Sequence, residues 1–478
     1  MRREVTLNTP ADSVPDGYGQ HMPYQRFASL AIGINEVLFL FLAASACAAR
    51  AAPGPAAAPN LAAPHPTAPH PTAPLPSPFA LGINEAVAIP RRLADAMPVA
   101  QQTTELNRRA GLSARLGARF VRGHTGNYPW VSQQSLAEDP RRIAQSDAWV
   151  QAVQAAGMEP AAMVSPWPGN DTGAYTDSYV PKDMAAYEAY VRYVVERYDG
   201  DGVDDMPGLA RPVVYWEADN EPDLKNAHRA RSAVREYDPA QFCTPAEYAE
   251  VFLATARAIK QAFPDAKVLN GGLYKPDGPE GARWFKAFAQ TPGVPAAIDI
   301  VSVHTYHDNI AGDRIAAGIG TERAGLEDKP VWVTETSFGT DATTDAEGQA
   351  RMLAVLVARA ALAGADALFW HSLEDKAASA YPKKLPTFFG YSLLDTDAAG
   401  VSTPKPVGVV FRNLAQLLSA HDLRGCTADG SGAARLNDGT VLIYEGSRTV
   451  TGSGLNLRTG EPLTTGAIAV APAVLYPI

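Results

Sequence analysis

Short hydrophobic segments alternate with longer amphipathic segments along residues 79–421. Eight short segments have the length and composition of strands: 79–84, 118–124, 160–165, 211–222, 267–272, 298–306, 330–337 and 367–372. Between them, apolar residues recur at spacings of three and four, which is typical of helices that bury one face. The clearest such segments are 146–156, 183–198, 245–263, 281–290 and 347–363, and another follows the last strand at 406–420. This alternation predicts parallel strands joined by crossover helices.

Eight strand–helix units predict an α/β fold, the (β/α)8 or TIM barrel, over 79–421. An open, doubly wound sheet shows the same alternation. Its first strand, however, is normally followed by a glycine-rich phosphate-binding loop, and no such loop follows 79–84. One helix start is unusually well marked, because Thr244 is a good N-cap, Pro245 suits the first helical position and Glu247 completes a capping box.

The segments before the barrel predict export. Residues 1–47 contain an apolar core at 37–44 that is too short to span a bilayer of about 30 Å, and small residues follow it, as in a signal peptide. The sequence Ala-Ser-Ala-Cys at 44–47 resembles a bacterial lipobox, which would place a lipid anchor at Cys47; ordinary cleavage after a small residue is the alternative. Residues 48–78 are rich in Pro and Ala and predict an extended linker. The predicted location is the bacterial cell envelope or the medium.

The hydrophobic pattern changes after the predicted barrel. Residues 422–478 contain short strand-like runs with Gly and Asn-Asp-Gly turns, which predict a small antiparallel β unit. The chain has three cysteines, and their spacing matches no metal or redox motif. Cys243 and Cys426 could form a disulfide in an oxidising compartment or remain two buried free thiols, and the sequence leaves both open.

Composition and charge narrow the class of function. Hydrophobic residues make up 46% of the chain and charged residues 19%, as in an ordinary soluble globular protein. The net charge is −10, and the arginine pairs are scattered, so the sequence offers no basic groove for nucleic acid.

Two glutamates stand at predicted strand ends. Glu221 ends the fourth strand and Glu335 lies near the end of the seventh. The carboxyl ends of all barrel strands meet at one mouth, where active sites of such barrels lie. Two carboxyl groups about 5–5.5 Å apart are what a retaining glycosidase requires. Glu217, four residues before Glu221, would lie deeper in the barrel in a structural pair.

The ordered set of residues at the strand ends resembles glycoside hydrolase clan A. The likeness rests on Asn-Glu-Pro at 220–222, Glu335, His-Thr-Tyr at 304–306 and Trp370. Within the clan, the segments 121–124 and 216–222 are most similar to family 39, whose members include β-xylosidases, α-L-iduronidases and bacterial exopolysaccharide endoglycosidases. The resemblance covers about residues 79–421. This sequence differs from many family 39 members at Asp219, because those members carry Trp at the matching position.

The resemblance implies roles for individual residues. Glu221 would be the acid/base and Glu335 the nucleophile, with Tyr306 donating a hydrogen bond to Glu335 and Arg122 close by. Asn220 would bind the sugar 2-hydroxyl, and Trp370 would form an apolar floor. The predicted substrate-binding set is Arg122, His124, Trp167, Asn220, His304, Tyr306 and Trp370. His304 and Tyr306 could equally be polar core residues with satisfied hydrogen bonds, and His124 and Trp167 could be residues that pack within loops. Because side chains alternate along a strand, His371 should face away from Trp370, and it is not part of the predicted site.

These observations predict a retaining glycoside hydrolase that acts on an oligo- or polysaccharide without a metal or other cofactor. Its partner would be the carbohydrate substrate, with no nucleic acid, and with membrane contact only through the predicted anchor at Cys47. One alternative is a metal-dependent barrel hydrolase that uses His124, His304 and His371. Another is a glycan-binding lipoprotein without catalysis on a barrel scaffold.

Overall fold

Eight parallel strands form the centre of the molecule. The computed structural model describes residues 79–87, 89, 97–123, 142–166, 180–181, 183–224, 243–306, 313–340, 345–374, 390–397, 399–430 and 432–477. The predictions for the leader and linker at 1–78, including Cys47, and those for His124 and Trp167 lie outside these residues. No helix among the described residues combines the length and apolar character needed to cross a membrane.

The strands close into a barrel. They are β1 (Ala80–Asn84), β2 (Phe120–Arg122), β3 (Glu159–Val164), β4 (Tyr215–Ala218), β5 (Lys267–Asn270), β6 (Val301–Tyr306), β7 (Val331–Ser337) and β8 (Ala367–His371). Hydrogen-bonded neighbours run in the order β5-β4-β3-β2-β1-β8-β7-β6. A parallel bridge from Leu269 to Ile300 links the two remaining edges. The predicted (β/α)8 barrel is therefore confirmed.

Helices pack around the strands. They are α1 (Val99–Arg115), α2 (Ile143–Ala155), α3 (Met184–Glu196), α4 (Pro245–Ala262), α5 (Pro279–Ala289), α6 (Val294–Ala297), α7 (Asp313–Arg323), α8 (Ala346–Leu362) and α9 (Pro406–Leu418). The predicted start of α4 is confirmed. The Thr244 side chain accepts from the Glu247 amide, and the Glu247 carboxylate accepts from the Thr244 amide at 2.9 Å.

Aromatic side chains fill the base of the barrel. Phe120, Tyr215, Trp332 and Phe369, from four different strands, pack with ring centroids 4.8–5.8 Å apart. Gly82 on β1 leaves room for this layer, since a Cβ atom there would lie 2.5 Å from the Phe369 ring. The layer fills the barrel interior at the amino-terminal ends of the strands. Inward-facing side chains further along the strands therefore lie towards the mouth at the carboxyl ends.

A β-bulge interrupts β7. Val303 of β6 pairs with Val333, but the next residue, His304, pairs with Glu335, so Thr334 has no partner in the register. Thr334 and Glu335 consequently both face the barrel interior: the Thr334 hydroxyl lies 2.6 Å from that of Ser302, and Glu335 contacts Arg122. Bulges redirect side chains in this way at the rims of barrels.

The C-terminal segment is antiparallel, as predicted. Two short strands, β9 (Leu394–Thr396) and β10 (Ser402–Pro404), precede α9. The remaining strands are β11 (Thr427–Ala428), β12 (Ala433–Arg435), β13 (Val441–Ile443), β14 (Ser447–Thr449), β15 (Ser453–Asn456), β16 (Pro462–Thr464), β17 (Ile468–Val470) and β18 (Ala473–Leu475). Six of them form one sheet and β14 pairs with β17. Asn413 of α9 donates to the Leu457 carbonyl at 2.8 Å, which ties this unit to the barrel.

Cys243 and Cys426 do not form the disulfide that the sequence left open. Both are free thiols and both are buried.

Candidate active site

Glu221 reaches the barrel mouth through an unusual backbone conformation. It lies three residues beyond the end of β4, and Asp219 and Glu221 have left-handed φ angles of 68° and 46°. The Asp219 amide donates to the Val164 carbonyl at 2.8 Å and the Glu221 amide donates to the Gly272 carbonyl at 3.1 Å. These hydrogen bonds to the ends of the neighbouring strands β3 and β5 fix Asp219 and Glu221 in a left-handed conformation that residues other than glycine rarely adopt.

Two glycines after β5 make this approach sterically feasible. A Cβ atom at Gly271 would lie 2.7 Å from the Asp219 carbonyl oxygen, and one at Gly272 would lie 2.4 Å from the His304 ring. Tyr248 of α4 reinforces the junction, because its hydroxyl donates to the Ala218 carbonyl at 2.6 Å and accepts from the Gly271 amide at 2.7 Å.

Three donors surround the Glu335 carboxylate. Oε2 accepts from the Asn84 side-chain amide at 2.8 Å and from Arg122 Nη1 at 3.1 Å, while Oε1 accepts from the Tyr306 hydroxyl. Glu335 is buried, with 8% of its surface exposed. Donors of this kind, one of them cationic, favour the ionised form of a carboxyl group.

Arg122 joins two carboxylates. Its Nε donates to Glu217, its Nη1 to Asn84 at 3.0 Å and to Glu335, and its Nη2 to Asn220 at 2.8 Å. Although burial opposes the charge, the carboxylates of Glu217 and then Glu335 raise the pKa of Arg122. A guanidinium that is 1% exposed and donates in four directions has one available orientation. Arg122 thus fixes Glu335 and Asn220 relative to each other.

Glu217 lies below the site, as predicted. Besides Arg122, its carboxylate accepts from the Ser302 hydroxyl at 2.7 Å. It is 2% exposed, and with Arg122 and Ser302 it lies between the aromatic base and the mouth.

Glu221 faces Glu335 across the mouth. One carboxylate oxygen of each and a ring nitrogen of His304 all lie within 4.8 Å of one another. His304 Nδ1 is 3.2 Å from Glu221 Oε1, and the histidine is fully buried. The three groups are close enough to bind a metal ion, but the guanidinium of Arg122 at 3.1 Å from Glu335 places a positive charge beside that position.

Aromatic rings line the mouth beside Glu335. The Tyr306 ring packs edge-on against His371 and Tyr391, with centroids 6.5 Å and 6.3 Å away. Burial and the charge of Glu335 raise the pKa of Tyr306 well above its ordinary value, so its hydroxyl keeps the proton that it donates. His371 Nδ1 lies 3.3 Å from the Asn84 side-chain nitrogen and is only partly buried.

The prediction for Trp370 is wrong. Trp370 is fully buried, and its indole nitrogen donates to the Tyr391 carbonyl at 2.8 Å. The next residue, His371, pairs in register with Asn84 and faces the barrel interior, whereas Trp370 pairs with Ile83 on the opposite face. The residue that β8 presents to the mouth is therefore His371, which the sequence prediction had left out.

The structure brings Arg122, Asn220, Glu221, His304, Tyr306 and Glu335 together at one mouth. The sequence analysis missed Asn84, although its position offered a signal. It ends β1 and pairs in register with Arg122 at the end of β2, so the two side chains share a face at the same depth.

The fold and the paired glutamates define a class, barrel proteins with two carboxyl groups at the carboxyl-terminal mouth. Residues 218–361 match the family model of the glycosyl hydrolase catalytic core, and this segment contains both Glu221 and Glu335. The match supports a glycoside hydrolase. No curated protein is similar enough in sequence to match the chain.

Solved structures share the fold. A glucosidase from Croceicoccus marinus is 18% identical over 81% of each chain, with a TM-score of 0.52. A monomeric β-xylosidase from Caulobacter crescentus CB15 is 20% identical over 77% of this chain and 74% of its own, with a TM-score of 0.50. The exo-β-1,4-mannosidase Op5Man5 from Opitutaceae bacterium strain TAV5 is 17% identical over 71% of this chain and 59% of its own, with a TM-score of 0.51. At these identities the likeness establishes the barrel fold.

Proposed function

We propose that this protein is a retaining glycoside hydrolase in which Glu335 is the nucleophile and Glu221 the acid/base. The observation that carries the proposal is the approach of the two carboxylates, with an oxygen of each within 4.8 Å of the other at the barrel mouth. Inverting enzymes need a wider gap of about 6.5–9.5 Å between carboxyl groups, because a water molecule must fit beside the sugar.

The surroundings of the two carboxyl groups support the division of roles. Glu335 accepts from Asn84, Arg122 and Tyr306, so it is the group whose charge is stabilised. Double displacement needs a proton donor opposite the nucleophile, and we assign that role to Glu221, whose Oε1 lies 3.2 Å from His304 Nδ1. An ionised nucleophile opposite a protonated acid is the starting state of double displacement.

The reaction then proceeds in two steps. In the first, a Glu335 oxygen attacks the anomeric carbon while Glu221 transfers its proton to the departing glycosidic oxygen. In the second, Glu221 takes a proton from water, the water oxygen attacks the anomeric carbon, and the bond to Glu335 breaks. Glu221 is protonated again and Glu335 is ionised, so the starting state is restored.

Other residues at the mouth would hold the sugar. Asn220 is fixed by Arg122 through its carbonyl oxygen, which leaves its amide group to donate to a sugar 2-hydroxyl. His371 takes the position on β8 that we had assigned to Trp370. We further propose an oligo- or polysaccharide substrate and action outside the cytoplasm, both on the sequence features alone. The likeness to family 39 is likewise a prediction.

Substitution of the two glutamates tests the mechanism. Glu335→Gln should abolish turnover of activated aryl β-glycosides. Glu221→Ala should slow hydrolysis of the glycosyl–enzyme and be partly rescued by azide, with a β-glycosyl azide as product. Glu250→Gln is a matched control on the exposed face of α4 and should retain full activity.

Two outcomes would contradict the proposal. Proton NMR of the first product should show retained anomeric configuration, and inversion would exclude a glycosyl–enzyme. Activity assayed well below the unfolding temperature should also survive a chelator; its loss in protein that remains folded would favour the metal-dependent alternative. A protein that binds glycans but turns over none of the aryl glycosides or polysaccharides tested would be the binding lipoprotein instead.

A further inference from the structure

A second group of carboxylates lies at the other end of the barrel. The loop 197–214 connects α3 to β4, and loops that lead into barrel strands lie at the face opposite the active-site mouth. One oxygen atom each from Glu196, Asp199 and Asp201 lie within 4.8 Å of one another. This cluster shares no residue with the candidate active site.

Asp199 supplies an independent reason to expect a ligand. The residue is 0% exposed, and its Oδ1 accepts from the Asp201 amide at 3.2 Å. Its Oδ2 is also buried and has no hydrogen-bond partner within the part of the chain that the structure describes. A buried carboxylate oxygen without a partner is costly, and such oxygens are normally satisfied by donors or by a bound cation.

The loop is shaped so that its side chains can gather around one point. Gly200 and Gly202 have φ angles of 78° and 91°, which favour glycine. The Asp205 carboxylate accepts from the amides of Gly200 at 3.0 Å and Gly202 at 2.8 Å, so it fixes the turn from outside the cluster. The Asp201 Oδ1 accepts from the Val203 amide at 2.7 Å, which orients that carboxylate.

We propose that Glu196, Asp199 and Asp201 bind a calcium ion. All three donors are carboxylate oxygens, the ligands that hard divalent cations prefer, and Ca²⁺ tolerates the irregular geometry of a glycine-containing loop better than Mg²⁺ does. Carboxylates at 199 and 201 have the spacing of the first and third ligands of an EF-hand loop. The fifth position here is Val203, so the loop is not an EF-hand, and the third carboxylate comes from the end of α3 instead.

The ion would join two parts of the fold that lead to the active site. Glu196 is the last residue of α3. Two backbone hydrogen bonds of 2.8 Å hold the loop that follows: the Met206 amide donates to the Arg197 carbonyl, and the Val213 amide donates to the Tyr198 carbonyl. Two residues after Val213, β4 begins, and β4 carries Glu217 and leads to Glu221. Bound calcium would therefore stabilise the entry to β4 without touching the reacting groups.

Thermal unfolding of the full chain tests the proposal. The protein is treated with EDTA, freed of chelator and titrated with CaCl₂, and calcium should raise Tm by about 2–5 °C. Isothermal titration should detect one calcium per chain. Asp199→Asn and Asp201→Asn should abolish both responses, whereas Asp204→Asn, a matched change at an exposed residue of the same loop, should leave them intact.

The chelated state separates a ligand from a merely structural residue. In EDTA, Asp199→Asn should be at least as stable as the parent, because it replaces one of three closely spaced carboxyl groups with an amide of the same shape. A structural role predicts lower stability with and without calcium. If Asp199→Asn fails to fold, the half-buried Asp201→Asn carries the test. No calcium response in the parent, an equal response in Asp201→Asn, or an equal response to Mg²⁺ would overturn the assignment to calcium.

Discussion

Removal of one hydroxyl group should show which step of the proposed reaction depends on Tyr306. Tyr306→Phe keeps the ring, which packs against His371 and Tyr391, and deletes the donor to Glu335 Oε1. Hydrogen bonds to charged groups contribute about 1.5–3 kcal/mol. At 1.36 kcal/mol for each factor of ten, the loss corresponds to about 10–150-fold in rate.

The direction of the effect differs between the two steps. When Glu335 attacks the sugar its charge is consumed, so a donor that stabilises the carboxylate does not help this step. When the glycosyl–enzyme is hydrolysed, Glu335 leaves as a carboxylate, and the Tyr306 hydroxyl stabilises the charge as it develops. Tyr306→Phe should therefore slow deglycosylation, so kcat falls about 10–150-fold while KM falls with it.

Stopped-flow measurement of aryl glycoside cleavage provides the assay. The variant should release one equivalent of phenol in a burst and then turn over slowly, and kcat/KM should change much less than kcat. Tyr193→Phe on α3, remote from the mouth, is the control for the loss of a tyrosine hydroxyl. A variant whose kcat/KM falls while kcat is unchanged would refute the proposed contact between Tyr306 and the departing Glu335.

Two further predictions concern stability. Glu217→Gln should lower the free energy of unfolding by about 3–5 kcal/mol, because it leaves the buried Arg122 without its main counter-charge; urea denaturation measures this, and a loss below that of Glu250→Gln would contradict it. Burial alone would raise the pKa of Glu374, but hydrogen bonds from Arg108 and the charge of Arg109 hold it at about 2, below its ordinary 4.5. The lowered pKa of Glu374 stabilises the folded state by about 2 kcal/mol after allowance for partial solvent access; this contribution is fully present above about pH 4.5 and is lost as pH falls towards 2. Glu374→Gln should therefore flatten the acidic part of the curve of unfolding free energy against pH, measured with urea. An unchanged slope would show that Glu374 is not responsible.

The barrel could be predicted from the sequence because alternation of strands and helices is a long-range, repeated signal. Each of the eight strands lies within its predicted segment or one residue from it. The fourth was overestimated. The apolar run at 213–216 lies inside the predicted segment 211–222, but β4 spans only Tyr215–Ala218 because the chain turns into left-handed conformations at Asp219 and Glu221.

Side-chain direction was harder to predict than strand position. Strict alternation from the inward-facing Trp332 would turn Thr334 inward and Glu335 outward, and only the bulge in β7 brings both inside. A bulge is a mismatch between two paired strands, so one strand's sequence does not contain it. The prediction that Glu335 lies at the mouth rested on its place near the strand end and on the resemblance, not on periodicity.

The error at β8 has a related cause. Its residues 367–371, Ala-Leu-Phe-Trp-His, carry no polar alternation that marks the inward face, because both faces of a strand in a parallel barrel are buried. The prediction for Trp370 rested on the resemblance to clan A, and the strand's own sequence offered nothing to correct it. The correct face follows from the neighbouring strand: Asn84 faces inward to Glu335, and its register partner is His371.

The charges of the barrel interior suit the proposed double displacement. Arg122 is the cation shared by Glu217 and Glu335, so these three groups carry one net negative charge when both carboxylates are ionised. Glu217 holds the guanidinium from below, so Arg122 would keep its position in the proposed glycosyl–enzyme, in which Glu335 is covalently bound. The transition state of glycoside hydrolysis places positive charge on the sugar ring. A fixed interior with a surplus carboxylate stabilises that charge without reorganisation, whereas an interior neutralised by a second cation would oppose it.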